Sequence, residues 1–362
     1  MKREPLWLLP FALSLLSVVG CGDDAETTPA GNCEVVDLGD GSSAIRCPDG
    51  TEVVVRNGKD GEKGDKGENG SQDACTLGEA DGKFTLTCGD RSVVIGDACE
   101  DGFPLNLIFD GDTTEASRIL FSVSNCTWIR GDVYIEGGSE IPAAVARIEK
   151  IDGALAIGET AIEEISFPNL TEVGALYVTL NEALTTVDFP SLVDVRNFAI
   201  SNNPQLTTLG FPSLTNVERS LRLEENPALT TVDAFPKLET VGGSVIIEDN
   251  DGLETVGGFT SLERVGSLAV YDNDALVSVA DFPALEEITG SDGPVGTSVV
   301  YIANNPVLAS FGKLGSVSTI DGDVTVVNNP ELPQEDIDEM LDGVDIAGSL
   351  YVCGNKGGDA CL

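Results

Sequence analysis

The sequence contains no histidine. That removes the usual general base, the Ser-His and Cys-His nucleophile systems and the commonest zinc ligand. Positive charge is scarce: 20 Lys and Arg stand against 61 Asp and Glu, for a net charge of −41. Such a chain repels nucleic acid and anionic lipid. No Cys-x-x-Cys pair occurs, which weakens a metal reading of the cysteines, and no complete EF-hand spacing occurs either. The acidity therefore reads first as a solvated surface, suited to a saline habitat. Calcium in acidic corners such as Glu248-Asp249-Asn250-Asp251 is the weaker alternative. Gly-rich stretches do not join a strand to a phosphate-cradling helix, so no nucleotide loop is expected. The one long apolar run is Leu6–Val19, so the protein is expected to be anchored to a membrane without spanning it.

That run belongs to a leader. Lys2 and Arg3 precede it, and Val18-Val19-Gly20-Cys21 matches a bacterial lipobox, which predicts a signal peptide at 1–20 and lipidation of Cys21. Residues 21–32 read as a tether. Of the nine cysteines, eight remain after Cys21, an even number suited to an oxidising compartment. Sequence proximity suggests Cys33–Cys47, Cys75–Cys88, Cys99–Cys126 and Cys353–Cys361, with other pairings open.

Residues 33–56 and 73–98 repeat one another. Ile45-Arg46-Cys47 followed by Val53-Val54-Val55 parallels Leu86-Thr87-Cys88 followed by Val93-Val94-Ile95. Each predicts a small disulfide-pinned β-meander, too small to bury much core without its staple. Between them, in a segment at 57–72, Gly58, Gly61, Gly64, Gly67 and Gly70 fall on every third residue, which is collagen-like. With so few triplets and no Pro, it reads as a charged spacer; a trimerisation contact is the alternative.

From residue 99 to 362 the chain is repetitive. Short apolar-x-apolar strands end on Ile135, Ile157, Val178, Ile200, Leu223, Ile247, Val270, Ile302, Val326 and Val352, mostly at steps of 21 to 26 residues. This predicts a mainly β solenoid, a right-handed β-helix or leucine-rich-repeat-like stack of about ten coils. At about 4.8 Å per strand it would be a rod roughly 45 Å long. Alternation turns two apolar side chains of each strand inward and one outward. Three residues after the later anchors stand Asn181, Asn203, Asn226, Asn250, Asn273, Asn305, Asn329 and Asn355. A stacked Asn can bond turn backbones through both donor and acceptor, and it tolerates a left-handed corner. This column is expected to be a structural ladder. A second strip, Phe167-Pro168-x-Leu170-x-x-Val173, recurs at Phe189, Phe211, Phe235 and Phe282 and, without Pro, at Phe259 and Phe311. Thr114–Ser122, between Cys99 and Cys126, fits an N-terminal cap helix. Residues 333–341 read as a short helix in the last coil, which Cys353 and Cys361 then close.

The stretch Cys126-Thr127-Trp128-Ile129-Arg130-Gly131-Asp132-Val133-Tyr134-Ile135, with the strips above, resembles the first coil of receptor L domains, the ligand-binding modules of insulin- and EGF-type receptors. It is also similar to fungal GPI-anchored cell-wall proteins and to bacterial lipoproteins. The resemblance covers about residues 99–362. Ordinary leucine-rich repeats share the L-x-L-x-x-N core, but the Phe-Pro strip and Gly-rich corners favour the L-domain form. It implies ligand binding on the strand face. The sequence contains no kinase, so receptor signalling is not expected to carry over.

All five tyrosines, Tyr134, Tyr177, Tyr271, Tyr301 and Tyr351, fall on the strand column, where alternation points them outward; Arg222 and Ile246 share the position. Tyr177, Arg222, Ile246, Tyr271 and Tyr301 are the candidate ligand-binding residues, with high β-propensity of Tyr as the competing explanation. The longest step, 32 residues from Val270 to Ile302, inserts Gly290-Ser291-Asp292-Gly293-Pro294-Val295-Gly296-Thr297 just before Tyr301. Insertions in solenoids tend to decorate the binding face. The expectation is a non-enzymatic, lipid-anchored envelope protein at the outer membrane or cell surface that recognises a glycan or a protein. The alternatives are a carbohydrate-active enzyme using Asp, Glu and calcium, whose turnover chelation would abolish, and an envelope spacer without a ligand.

Overall fold

The structure, a computed structural model, describes strands at 34–37, 42–46, 52–56, 75–80, 83–88, 91–97 and 107–109, and the chain at 126–141, 145–290 and 298–361. The chain divides into two compact units, Met1–Gln72 and Asp73–Leu362. In the first, Glu34–Asp37, Ser42–Arg46 and Glu52–Arg56 form an antiparallel three-stranded meander. In the second, Cys75–Ala80, Lys83–Cys88 and Arg91–Asp97 form another, whose register sets Cys75 opposite Cys88. The three-stranded pattern of each meander is the one expected, while their disulfide staples lie outside the described residues. The leader, Cys21, the tether, the collagen-like spacer, Cys33, Cys47, Cys99 and the 114–122 cap lie outside the described residues.

The rest of the second unit is a β-solenoid. All ten anchors lie on strands of one parallel 16-stranded sheet, and each anchor is paired in register with the next: Ile135 with Ile157, Leu223 with Ile247, Val326 with Val352. A further rung, Leu107–Phe109, pairs with the strand of Ile135 at the N-terminal side. Inward residues of the central rungs, such as Leu176, Val178, Leu221, Leu223, Val245 and Ile247, are fully buried. The coils turn back through shorter parallel sheets. One is built from Glu164–Ser166, Thr186–Asp188 and Thr208–Gly210, another from Thr231–Val232, Thr255–Val256, Ser278–Val279 and Ser310–Phe311.

Between the sheets the Phe strip stacks as a continuous column. Phe167, Phe189, Phe211 and Phe235 follow one another at ring-centroid distances of 5.3, 5.5 and 5.6 Å, and Phe198 meets Phe211 edge-on at 4.9 Å. Offset aromatic stacking adds to the large area each ring buries. A coil has this interior only when a neighbour stacks on it, which is why stability is shared along the rod.

The Asn column forms a ladder. Asn203 donates from Nδ2 to the carbonyl of Val178 one coil back (3.0 Å) and to that of Ser201 in its own coil (3.0 Å), while Asn226 Oδ1 accepts the Asn203 backbone N–H at 3.2 Å. The pattern repeats to Asn329, whose backbone N–H donates to Asn355 Oδ1 at 3.1 Å. Each Asn thus satisfies buried backbone groups that no strand can reach. The ladder starts on Thr160, whose hydroxyl donates to Asn181 Oδ1 at 2.7 Å. One expectation is corrected: the left-handed corner falls on the residue before each ladder residue, Thr160 included, with Gly354 in that place before Asn355. Glu159, Leu180, Asn202, Glu225, Asp249, Asp272, Asn304 and Asn328 have φ between 52° and 59°. Their reversed conformation is what turns the next side chain into the interior.

The C-terminal end is also corrected in part. The helix Gln334–Met340 forms after Pro333, with Ile337 and Met340 buried. The Cys353–Cys361 disulfide is present, and Cys126 is disulfide-bonded as well. The Cys353 bridge does not cover the last strand, however: Leu350, at an inward position, is 51% exposed. The bridge ties the corner that follows the strand, leaving the strand's own apolar side chain without a covering coil.

Candidate functional site

The outward side of the long sheet carries two side-chain columns. The first, in register from rung to rung, runs Tyr134, Ala156, Tyr177, Ala199, Arg222, Ile246, Ala269, Tyr301, Thr325, Tyr351. Tyr177 and Tyr301 each have a small residue on both sides within this column. The second column includes Ser201, Glu224, Glu248, Tyr271 and Ala303. Tyr271 therefore belongs to this second column, one residue beyond its anchor, and not to the column of the other tyrosines. Both columns face outward, since they are separated by two residues along each strand.

The structure brings Tyr271 and Tyr301 together edge to face, with centroids 5.3 Å apart and planes at 77°. Tyr271 donates its hydroxyl hydrogen bond to Glu248. Arg222 pairs with Glu224 at 2.9 Å. Ile246 is a second correction: although it points outward, it is completely buried and cannot be a contact residue. Its neighbours in register are Arg222 and Ala269, and Ala269 is itself fully buried beside Tyr301. Tyr177 remains open at 37% exposure, two rungs from Arg222, and Tyr351 lies at the far end, 54% exposed. Of the insertion, residues 291–297 lie outside the described residues.

Negative charge concentrates on the same middle rungs. Glu224 stands directly opposite Glu248 in register, and Glu225, Asp249 and Asp272 occupy successive left-handed corners. Like charges facing one another across strands destabilise a sheet. Burial, aided by Glu224, Asp249 and Asp272, pushes the Glu248 carboxyl up to about 7 in spite of its hydrogen bond from Tyr271. Burial followed by Asp272, Glu225, Asp251 and Glu224 pushes Asp249 to about 6. Burial, with Glu248 as bond partner, also raises the Tyr271 hydroxyl well above its usual value. An open hollow of ≈670 Å³ beside these corners is lined by Asp249, Asp251, Asp272 and Asp274 with Asn304 and Asn328. Among the described residues, no group of three His, Cys, Asp or Glu side chains is placed to hold a metal ion.

Sequence reasoning found the tyrosines and Arg222 but missed Glu224 and Glu248 as members of the outward face. The signal was present: an acidic residue directly after the anchor on two successive coils.

This face can be set beside known proteins. Residues 125–240 match the receptor L domain family. The match covers less than half of the chain and spans the solenoid from Cys126 to the start of the strand that carries Ile247. Residues 22–69 match the collagen-flanked surface repeat, a range that includes Gly58, Gly61, Gly64 and Gly67 of the segment with glycine at every third position. Comparison with curated proteins and with solved structures yields no match. The receptor L-like solenoid and the surface repeat together point to a surface, receptor-like protein. Among the described residues, no helix is long and apolar enough to cross a membrane.

Proposed function

We propose that the chain is a lipid-anchored, non-catalytic recognition protein of a bacterial cell envelope, which engages its partner through the outward face of the long sheet. The observation that carries this reading is the register-aligned column in which Tyr177 and Tyr301 each stand between small residues on the outward side of the long sheet. Aromatic side chains on a rigid platform supply contact area at little entropic cost. The absence of histidine and the scatter of carboxylates support binding over chemistry. Arg222 already pairs with Glu224, but Glu248, Asp249 and Asp272 remain clustered on the same rungs, which favours a partner that presents positive charge. A protein with exposed Lys or Arg suits that face better than an acidic glycan. Anchoring rests on the lipobox ending at Cys21, with residues 21–32 as the tether.

The test is protease accessibility on intact cells, scored with an antibody to the solenoid and with lysed cells as control. Cleavage on intact cells supports surface recognition. Protection until lysis places the solenoid inside the envelope and contradicts it. Loss of the membrane-bound pool on Cys21→Ser tests the anchor.

A further inference from the structure

The second short sheet bears a groove that the proposed recognition face does not use. Its floor is the parallel set Thr231–Val232, Thr255–Val256, Ser278–Val279 and Ser310–Phe311, and the helix Gln334–Met340 contributes Asp336 and Glu339 to its wall. The volume is ≈680 Å³, within the usual range for a small-ligand site. The concavity has a cause in the sequence. The outward position two residues after each hydroxyl is Asp233 on the first rung but shrinks to Gly257, Ala280 and Gly312 on the next three.

The geometry points to this groove as a binding site for a neutral oligosaccharide lying along the solenoid axis. Thr231, Thr255, Ser278 and Ser310 are paired in register, so they present one hydroxyl per rung at about 4.8 Å spacing. A hydroxyl both donates and accepts, as a sugar hydroxyl does. Asp336 and Glu339 on the wall add acceptors for hydroxyl donors. Other ligand classes fit less well. The floor strands already spend their backbone N–H groups on neighbouring coils, Gly257 on Val232, Ala280 on Val256 and Gly312 on Val279, so an extended peptide cannot add as a strand. Val232, Val256, Val279 and Phe311 are buried inward, which leaves no apolar socket for a hydrophobic helix. Lys313 is the one cation of the lining and is already paired with Glu339 at 3.3 Å, so phosphates and uronates meet net repulsion.

The experiment uses the full chain and neutral hexasaccharides, a β-1,4-glucan, an α-1,4-glucan and a β-1,4-mannan, with a hexauronate as the anionic counterpart. Titration calorimetry measures affinity, and amide shift mapping locates the site. At least one neutral hexasaccharide is expected to bind and the hexauronate not to bind. The Thr231→Val/Thr255→Val double variant, isosteric and well suited to a strand, should weaken binding roughly ten-fold or more through the lost hydrogen bonds. Tyr177→Ala/Tyr301→Ala should leave it unchanged. Equal unfolding midpoints for both variants and the parent show that the fold is intact; should the threonine pair fail to fold, Glu339→Gln replaces it. The proposal is overturned if none of the three neutral sugars binds, if the hexauronate binds as well as they do, or if the tyrosine pair and not the threonine pair abolishes binding. The last result would assign sugar recognition to the long-sheet face and leave the proposed function standing.

Discussion

Replacing Asn226 with Ala should be among the most destabilising single changes in the solenoid. Asn226 is fully buried. Its Nδ2 donates to the carbonyls of Ile200 at 3.0 Å and Glu224 at 2.8 Å, and its Oδ1 accepts the backbone N–H of Asn203 at 3.2 Å. The Glu224 carbonyl keeps another donor, the Asn202 N–H. The Asn203 N–H keeps none, since its acceptor in the ladder is Asn226 itself. An orphaned buried group costs about 1–3 kcal/mol, and a second weakened group with a small void brings the sum to about 3–5 kcal/mol. Because solenoid stability is spread over neighbouring coils and unfolding need not be all-or-none, the assay should combine denaturant titration with hydrogen exchange. The Asn203 amide should lose protection selectively. A loss of stability under about 1 kcal/mol together with unchanged exchange at Asn203 would refute the ladder as a source of stability.

Three further outcomes follow from the same geometry. Glu248 is raised from its ordinary value to about 7, so the folded state holds this proton longer than the unfolded state and stability falls as pH rises from about 4.5 through 7. Glu248→Gln keeps an acceptor for Tyr271, and at pH 8 it should stabilise by about 1–2 kcal/mol after allowance for solvent screening, with no gain at pH 4; denaturant titration at both values checks this. Phe211→Ala removes a ring stacked between Phe189 and Phe235 and should cost about 3–5 kcal/mol, read as a lowered unfolding midpoint. Gly258 has φ +78°, and an added Cβ would lie 2.6 Å from the Asp233 carbonyl carbon, so Gly258→Ala should cost about 1–3 kcal/mol while an exposed control such as Lys237→Ala costs little.

The solenoid was legible because its periodicities are enforced by packing. Each strand anchor, each ladder Asn and each stacked Phe meets its own kind one coil away, so the same residue type recurs at the same offset. What lacked recurrence was missed. The rung Leu107–Phe109 stands alone upstream of the repeat, and Thr160 replaces Asn at the start of the ladder. The left-handed residue varies among Glu, Leu, Asn and Asp, because the corner constrains its backbone and not its side chain, so no column advertised it. Ile246 misled for a different reason. Alternation gives the direction of a side chain but not what stands above it, and Ile246 and Ala269 point outward yet are fully buried. The edge-to-face contact of Tyr271 with Tyr301 was legible only as nearness on adjacent coils, since the one-residue offset between them needs the register. The hydroxyl row of the second short sheet recurs in sequence as Thr231, Thr255, Ser278 and Ser310, yet it becomes a groove only when the helix Gln334–Met340 is placed beside it.

The most direct test of the central claim, that the outward long-sheet face is a recognition surface, is attachment of cells displaying the full chain with Tyr177→Ala and Tyr301→Ala together. Surface level and unfolding midpoint are held equal to the parent, and Thr186→Ala with Thr208→Ala on a short sheet serves as the control pair. The account predicts that attachment drops with the tyrosine pair and stays at the parent level with the threonine pair. Unchanged attachment with the tyrosine pair would contradict it.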